Sequence, residues 1–183
     1  MKVLITYSSK TDNTKKMAKA IYEKINKEYQ TDLKQIKDVE NTDSYDCILV
    51  GGYNDKAVLD KDSLKFIDGN SNKNLGIFAT AGAGPQTKQG KEFITYMKDL
   101  LKDKNSLGVY LLPGRVSKKL QRAIKLAPSS LVGLIRSDLK ENATSKEIKE
   151  NLLDFINKSR NATDEERKKS GDYFLSNIKK IYN

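Results

Sequence analysis

The chain predicts an α/β domain: a doubly wound parallel five-stranded sheet with helices on both faces. Two observations carry this. Apolar runs of strand length alternate with helical periodicity along the 183 residues, the pattern of a parallel sheet wrapped by crossover helices. The run Asp46-Cys47-Ile48-Leu49-Val50-Gly51 is also nearly continuous in apolar residues, as a central parallel strand buried on both faces has to be.

The elements follow in order. Residues 2–7 read as the first strand, and the helical run Lys15-Lys16-Met17-Ala18-Lys19-Ala20-Ile21-Tyr22 lies within a helix at 13–29. A short second strand is expected at 32–36, the third at 46–51, and a short helix around 64–67. The fourth strand, 75–80, ends at Gly82-Ala83-Gly84-Pro85. A strongly amphipathic helix at 88–102 carries Phe93, Ile94, Met97, Leu100 and Leu101 at helical spacing. The fifth strand is expected at 107–112, with helices at 116–126, 145–156 and 163–181. The last opens Thr163-Asp164-Glu165-Glu166, a capping-box signature. Residues 1–183 fit one domain with enough chain to bury a full core. Residues 113–144 exceed a minimal strand-to-helix connection and read as an added subdomain inserted there.

Composition excludes several kinds of chemistry. There is no histidine and one cysteine, so zinc sites built on His or paired Cys and histidine-based triads are out. Cys47 lies in an apolar run and is expected to be a buried core thiol. The apolar start is too short for a secretory signal, and no run approaches the roughly 18 apolar residues of a membrane span. A cytoplasmic location is therefore expected. The net charge of +10 is uneven: residues 1–86 carry 13 basic and 12 acidic side chains, residues 87–183 carry 21 and 12. From Lys104 to Ser137 there are seven basic residues and no acidic one: Lys104, Arg115, Lys118, Lys119, Arg122, Lys125 and Arg136. Tyr110 is the only aromatic in that stretch, so stacking on nucleic-acid bases is not indicated.

The first strand is followed at once by Ser8-Ser9-Lys10-Thr11-Asp12-Asn13-Thr14, and that turn opens a helix. A strand, a hydroxyl-rich turn and a helix N-terminus in succession make a phosphate cradle. The turn supplies hydroxyls and the helix supplies unpaired N–H groups at the positive end of its dipole. The spacing of Ser9, Thr11 and Thr14 lets all three hydroxyls converge on one phosphate. The plainer alternative is an ordinary helix cap, for which Ser, Thr, Asp and Asn are also preferred.

This turn resembles the FMN-phosphate loop of flavodoxins, S/T-x-T-G-x-T, with Ser9, Thr11 and Thr14 in register and Asp12 where that family has Gly. Asp tolerates a left-handed backbone better than most residues, so the turn can survive. The resemblance implies a flavodoxin-like fold, strand order 2-1-3-4-5, and a ligand beyond the carboxyl ends of the strands at residues 8–14, 52–60 and 80–87. It makes Tyr53, in Gly51-Gly52-Tyr53-Asn54-Asp55, the candidate to stack on the flavin, with Gly52 allowing close backbone approach. Thr80, Ala81, Gly82, Ala83 and Gly84 resemble the second flavin loop, whose N–H groups face the ring edge. That loop carries no aromatic, which leaves one flavin face open.

The chain is also similar to a subgroup with Thr80-Ala81-Gly82, Gly114-Arg115-Val116-Ser117 and a long final helix, some members of which accompany bilirubin reductases in gut anaerobes. The resemblance thus implies an FMN-binding electron carrier that shuttles electrons from a reductase to an acceptor enzyme. Flavodoxins are usually acidic, so the basic half departs from the family. It points to an acidic redox partner docking near Arg115, Lys118, Lys119 and Arg122. Two other readings remain: an FMN-dependent oxidoreductase acting directly on a quinone or an anionic tetrapyrrole, and a flavin-free interaction module that kept only the fold.

Overall fold

The computed structural model describes residues 1–71, 73–135 and 143–182. Its strands are β1 (Lys2–Tyr7), β2 (Gln30–Gln35), β3 (Cys47–Asp55), β4 (Val58–Leu59), β5 (Asn74–Ala81) and β6 (Ser106–Pro113). Five are parallel in the order β2-β1-β3-β5-β6, and β4 pairs antiparallel with the end of β3. The expected fourth and fifth strands are β5 and β6, so the predicted order holds.

Side-chain alternation divides the core between the two faces of the sheet. Val3, Ile5, Tyr7, Cys47, Leu49 and Phe78 meet helices α1 (Asn13–Ile25) and α7 (Asp164–Tyr182) through Met17, Ile21, Phe174 and Ile178. Leu4, Ile48, Val50, Leu75, Ile77 and Ala79 face helices α2 (Lys61–Gly69) and α3 (Lys88–Leu100) through Ile67, Phe93 and Met97. Cys47 is fully buried, and burial pushes its thiol up to about 12, so it is the inert core thiol expected.

Several boundaries move for local reasons. α1 stops at Ile25 instead of running to Tyr29, because the N–H groups of Glu28 and Tyr29 both turn back to the Ile25 carbonyl. β2 consequently starts at Gln30, where pairing with β1 draws polar residues into an edge strand. β3 runs on to Asp55, because Lys56 and Ala57, at φ 57 and 70, form a two-residue turn that returns the chain as β4. The expected loop at 52–60 is therefore mostly a hairpin.

In β6 a bulge at Gly108 (φ 89) places Leu107 and Val109 on opposite faces of the sheet. A Cβ at Gly108 would lie 2.2 Å from the Tyr173 hydroxyl. Gly108→Ala is expected to destabilise the fold by about 1–3 kcal/mol through overpacking and positive-φ strain, read as a lower melting temperature.

After β6 come α4 (Lys118–Leu126), α5 (Ser129–Ile135) and α6 (Ser145–Lys158). α5 has no counterpart among the expected elements. Part of the expected added segment, including Arg136, lies outside the described residues. α6 opens with a Thr144–Glu147 capping box. At the start of α7 the Glu166 carboxylate accepts from Thr163 N (2.8 Å) while Glu166 N donates to Thr163 Oγ1 (3.2 Å), the expected capping box. Arg160 also grips Glu166. The Arg160 guanidinium, aided by Thr163, lowers the Glu166 carboxyl to about 2. A depressed folded-state pKa gives stability that is present above the unfolded value near 4.5 and is lost as pH falls toward 2. Glu166→Gln should flatten the acid limb of the melting-temperature profile over that window.

Candidate functional site at the carboxyl edge of the sheet

β1 carries the chain to the carboxyl edge, where Ser8 N still donates to Gly51 O (2.9 Å) and prolongs the ladder with β3. The next residues turn into α1. Asp12 stands at the helix N-cap with φ 58 and ψ −1, a left-handed conformation, and its side chain makes no capping bond. The first intrahelical bond runs from Lys16 N to Asp12 O (2.9 Å). The N–H groups of Asn13, Thr14 and Lys15 therefore have no helical acceptor, and the first turn contains no acidic residue. Such a terminus attracts an anion.

The hydroxyls of this turn take three different roles. Ser9 Oγ is buried and has no hydrogen-bond partner among the described residues. Thr11 Oγ1 accepts from Asn13 Nδ2 (3.1 Å). Thr14, only 1% exposed, donates to Gly52 O (3.2 Å), so Thr80 Oγ1, 3.1 Å away, is left to donate to Thr14 Oγ1. The expectation that all three hydroxyls converge is thus corrected: in the first turn of α1 the Thr14 side chain points back onto the sheet, where it ties α1 to β3 and β5.

Tyr53 lies in β3, its register partner is Thr80, and it is half-buried. It has the parity of Gly51, whose missing side chain would meet Tyr7 and Phe78, so it projects toward the α1 face. Lys10 Nζ sits 4.7 Å from the centre of the Tyr53 ring and 3.8 Å from the Asp55 carboxylate. The Tyr53 hydroxyl, with smaller help from Asp55 and Asp60, holds the Lys10 ammonium above the ordinary lysine range. Asn54 Oδ1 accepts from Ala57 N (3.0 Å), so Asn54 holds the hairpin turn.

Asp60, which the sequence reading passed over, organises this corner. It is 2% exposed and accepts from Tyr53 N (3.1 Å), Ser63 N (3.3 Å) and Ser63 Oγ (2.8 Å), capping α2 while fixing the backbone of Tyr53. Asp60 three residues before Ser63, just ahead of a helical run, was the available signal. Gly52 serves the same corner: a Cβ there would lie 2.6 Å from both Leu59 and Asp60. Its lack of a side chain thus admits Leu59 and the Asp60 cap of α2 on one face.

The third segment divides in two. Thr80 and Ala81 are buried in β5, and Ala81 O accepts from Gly114 N (2.7 Å). Gly82, Ala83 and Gly84 follow as a half-exposed turn. Arg115 begins beside the first loop, its carbonyl at 3.5 Å from Asn13 Nδ2. Lys118, Lys119 and Arg122 are exposed on α4, a helix with no buried residue.

This arrangement has counterparts among known proteins. The family described as flavodoxin domain matches residues 4–168. The chain belongs to the flavodoxin family. It is 32% identical over 142 residues to the flavodoxin-like domain-containing protein BilS of Clostridioides difficile (strain CD3), covering 71% of this chain and 78% of that protein. Its fold is similar to a flavodoxin from the domain Archaea (TM-score 0.50, 18% identity, 86% of this chain and 98% of that one). Oxidised flavodoxin 1 from Bacillus cereus is alike to the same degree (TM-score 0.50, 15% identity, 87% and 100%).

The residues present fit the FMN that the flavodoxin family implies. A phosphate would find the orphaned Ser9 hydroxyl and the free N–H groups of α1, and a planar ring would find Tyr53 and the small residues Gly82, Ala83 and Gly84. No helix among the described residues is long and apolar enough to cross a membrane, and none of their His, Cys, Asp and Glu side chains group into a metal site.

Proposed function

We propose that this protein is an electron carrier that holds FMN at the carboxyl edge of its sheet, takes electrons from a reductase and delivers them to an acceptor enzyme. The buried Ser9 hydroxyl, without a partner among the described residues, at an uncapped helix N-terminus is the observation that carries this reading. When bound, FMN supplies the one- and two-electron chemistry. The chain's own residues bind and orient. Ser9 and the N–H groups of Asn13, Thr14 and Lys15 receive the phosphate, with Ser8, Lys10, Thr11 and Asp12 completing the turn. Thr14 and Thr80 brace it against β3 and β5. Tyr53 offers the ring face opposite Lys10, while Asn54 and Asp55 hold the hairpin and its lysine in place. Gly82, Ala83 and Gly84 bring backbone groups to the ring edge.

Tyr53→Ala has a spectroscopic consequence. The fluorescence of bound FMN should be quenched in the wild type and partly restored in the variant, with affinity falling by about 0.5–1.5 kcal/mol. Unchanged quenching would remove Tyr53 from the stacking role.

The partner is expected to present an acidic face to Arg115, Lys118, Lys119 and Arg122. All four are exposed cations on one stretch of the chain, and such charges steer an encounter with an acidic surface. Screening acts over about 8 Å at physiological ionic strength. Stopped-flow transfer to the acceptor should slow with added salt, and Lys118→Glu with Arg122→Glu should slow it about tenfold or more at low salt. Rates indifferent to both changes would leave this face without a docking role. The carrier is expected to work in the cytoplasm.

A second reading, direct action on a quinone or an anionic tetrapyrrole, draws on the half-exposed Leu120 among the cations of α4. Steady NAD(P)H oxidation by the purified protein with such a substrate, without a reductase, would favour it over the carrier.

A further inference from the structure

We infer that Phe155, on helix α6, forms the second aromatic wall of the flavin cleft, across from Tyr53, so that the helices after β6 complete the site. This rests on the FMN reading above. Phe155 is far along the chain from the three loops, yet its ring lies against the third. A Cβ built at Gly82 would sit 2.8 Å from Phe155 Cζ, 3.1 Å from Cε1 and 3.2 Å from Val116 Cγ2. Gly82 is therefore the residue that lets the ring reach this edge. Phe155 nevertheless stays 38% exposed, so the contact with Gly82 leaves much of the side chain uncovered.

The ring is held by a built support. The end of α6 and the residues after it are bonded to the exit of β6. Val116 N donates to Ser159 Oγ (3.3 Å), Arg115 N to Asn161 Oδ1 (3.1 Å) and Ala162 N to Pro113 O (3.0 Å). Ser159 Oγ in turn donates to Ile156 O (2.7 Å), one residue from Phe155. Any movement of this turn would have to break bonds to the carboxyl edge itself.

Position supplies the rest. Thr80 faces α1, since its hydroxyl meets Thr14, and its register partner Tyr53 flanks it on β3. On the other flank, toward β6, stand Gly82, Val116 and Phe155. Gly114 lies between, where a Cβ would be 3.2 Å from both Asn13 Nδ2 and Thr80 Cβ. A planar ligand anchored by its phosphate at Ser9 and Asn13 thus extends between Tyr53 and Phe155. Ring faces and edges suit a flat heteroaromatic through their quadrupoles and apolar area. The flavin face that the third loop leaves without an aromatic is on this account covered by a residue from α6.

Titration of the apo-protein with FMN tests this, with the fluorescence of the bound flavin as readout for the wild type, Phe155→Ala and Phe155→Trp. We expect Phe155→Ala to weaken FMN about three- to tenfold and to raise the residual fluorescence of bound flavin. Phe155→Trp should keep the affinity and quench at least as deeply. Thermal melts of the apo-proteins separate a packing role: a ring that only glues α6 to Gly82 would lower the melting temperature in Phe155→Ala while leaving bound-flavin fluorescence as in the wild type. That result overturns the inference while FMN binding stands. A wild type that takes up no FMN overturns both.

Discussion

Ser9→Ala is expected to weaken FMN binding about 10- to 100-fold without harming the apo-protein. A hydrogen bond to a charged group contributes about 1.5–3 kcal/mol, and about 1.4 kcal/mol is a factor of ten. The same hydroxyl is buried with no partner among the described residues, so within the apo-protein it is a cost. Removing it should leave the apo melting temperature equal or higher, whereas loss of a structural hydroxyl would lower it. The two readouts move in opposite directions only if Ser9 is there for a ligand. Thr14→Ala should behave the other way. It breaks the link to Gly52 and Thr80 and should lower apo stability by about 1–2 kcal/mol.

Asp60→Ala should give the largest loss of stability. Its carboxylate, on a residue only 2% exposed, accepts from Tyr53 N, Ser63 N and Ser63 Oγ. Truncation strands these donors, at roughly 1–3 kcal/mol for each buried group left unmade, and removes the cap of α2. A total of about 3–5 kcal/mol is expected, a large share of the roughly 5–15 kcal/mol that folded proteins hold. The backbone of Tyr53 loses its anchor as well, so flavin affinity should fall in the protein that still folds. Asp60→Asn keeps one acceptor oxygen and should cost about half as much. Urea denaturation with an FMN titration of the folded fraction measures both effects.

What the sequence revealed was local or periodic. The strand order followed from apolar runs and the resemblance of one loop, and Asp12 was legible as a left-handed position because Asp can occupy one. The β3–β4 hairpin was hidden because Lys56 and Ala57 adopt positive φ without the Asn or Gly that usually signals such a turn. The inward turn of Thr14 depends on Gly52 and Thr80, which only the fold brings near. The bulge at Gly108 shifts the register without altering the apolar pattern much. Phe155 carried no signal, since nothing in a helical segment marks a ring that meets Gly82 from another element.

The most direct test of the account is a comparison of FMN with riboflavin, which lacks only the phosphate, by equilibrium titration of the apo-protein. With the phosphate held by Ser9 and the N–H groups of α1, FMN should bind at least about 100-fold more tightly than riboflavin, the equivalent of two tenfold steps of about 1.4 kcal/mol. Ser9→Ala should shrink that ratio. Equal affinity for the two flavins, or a ratio untouched by Ser9→Ala, would contradict a phosphate site at the start of α1.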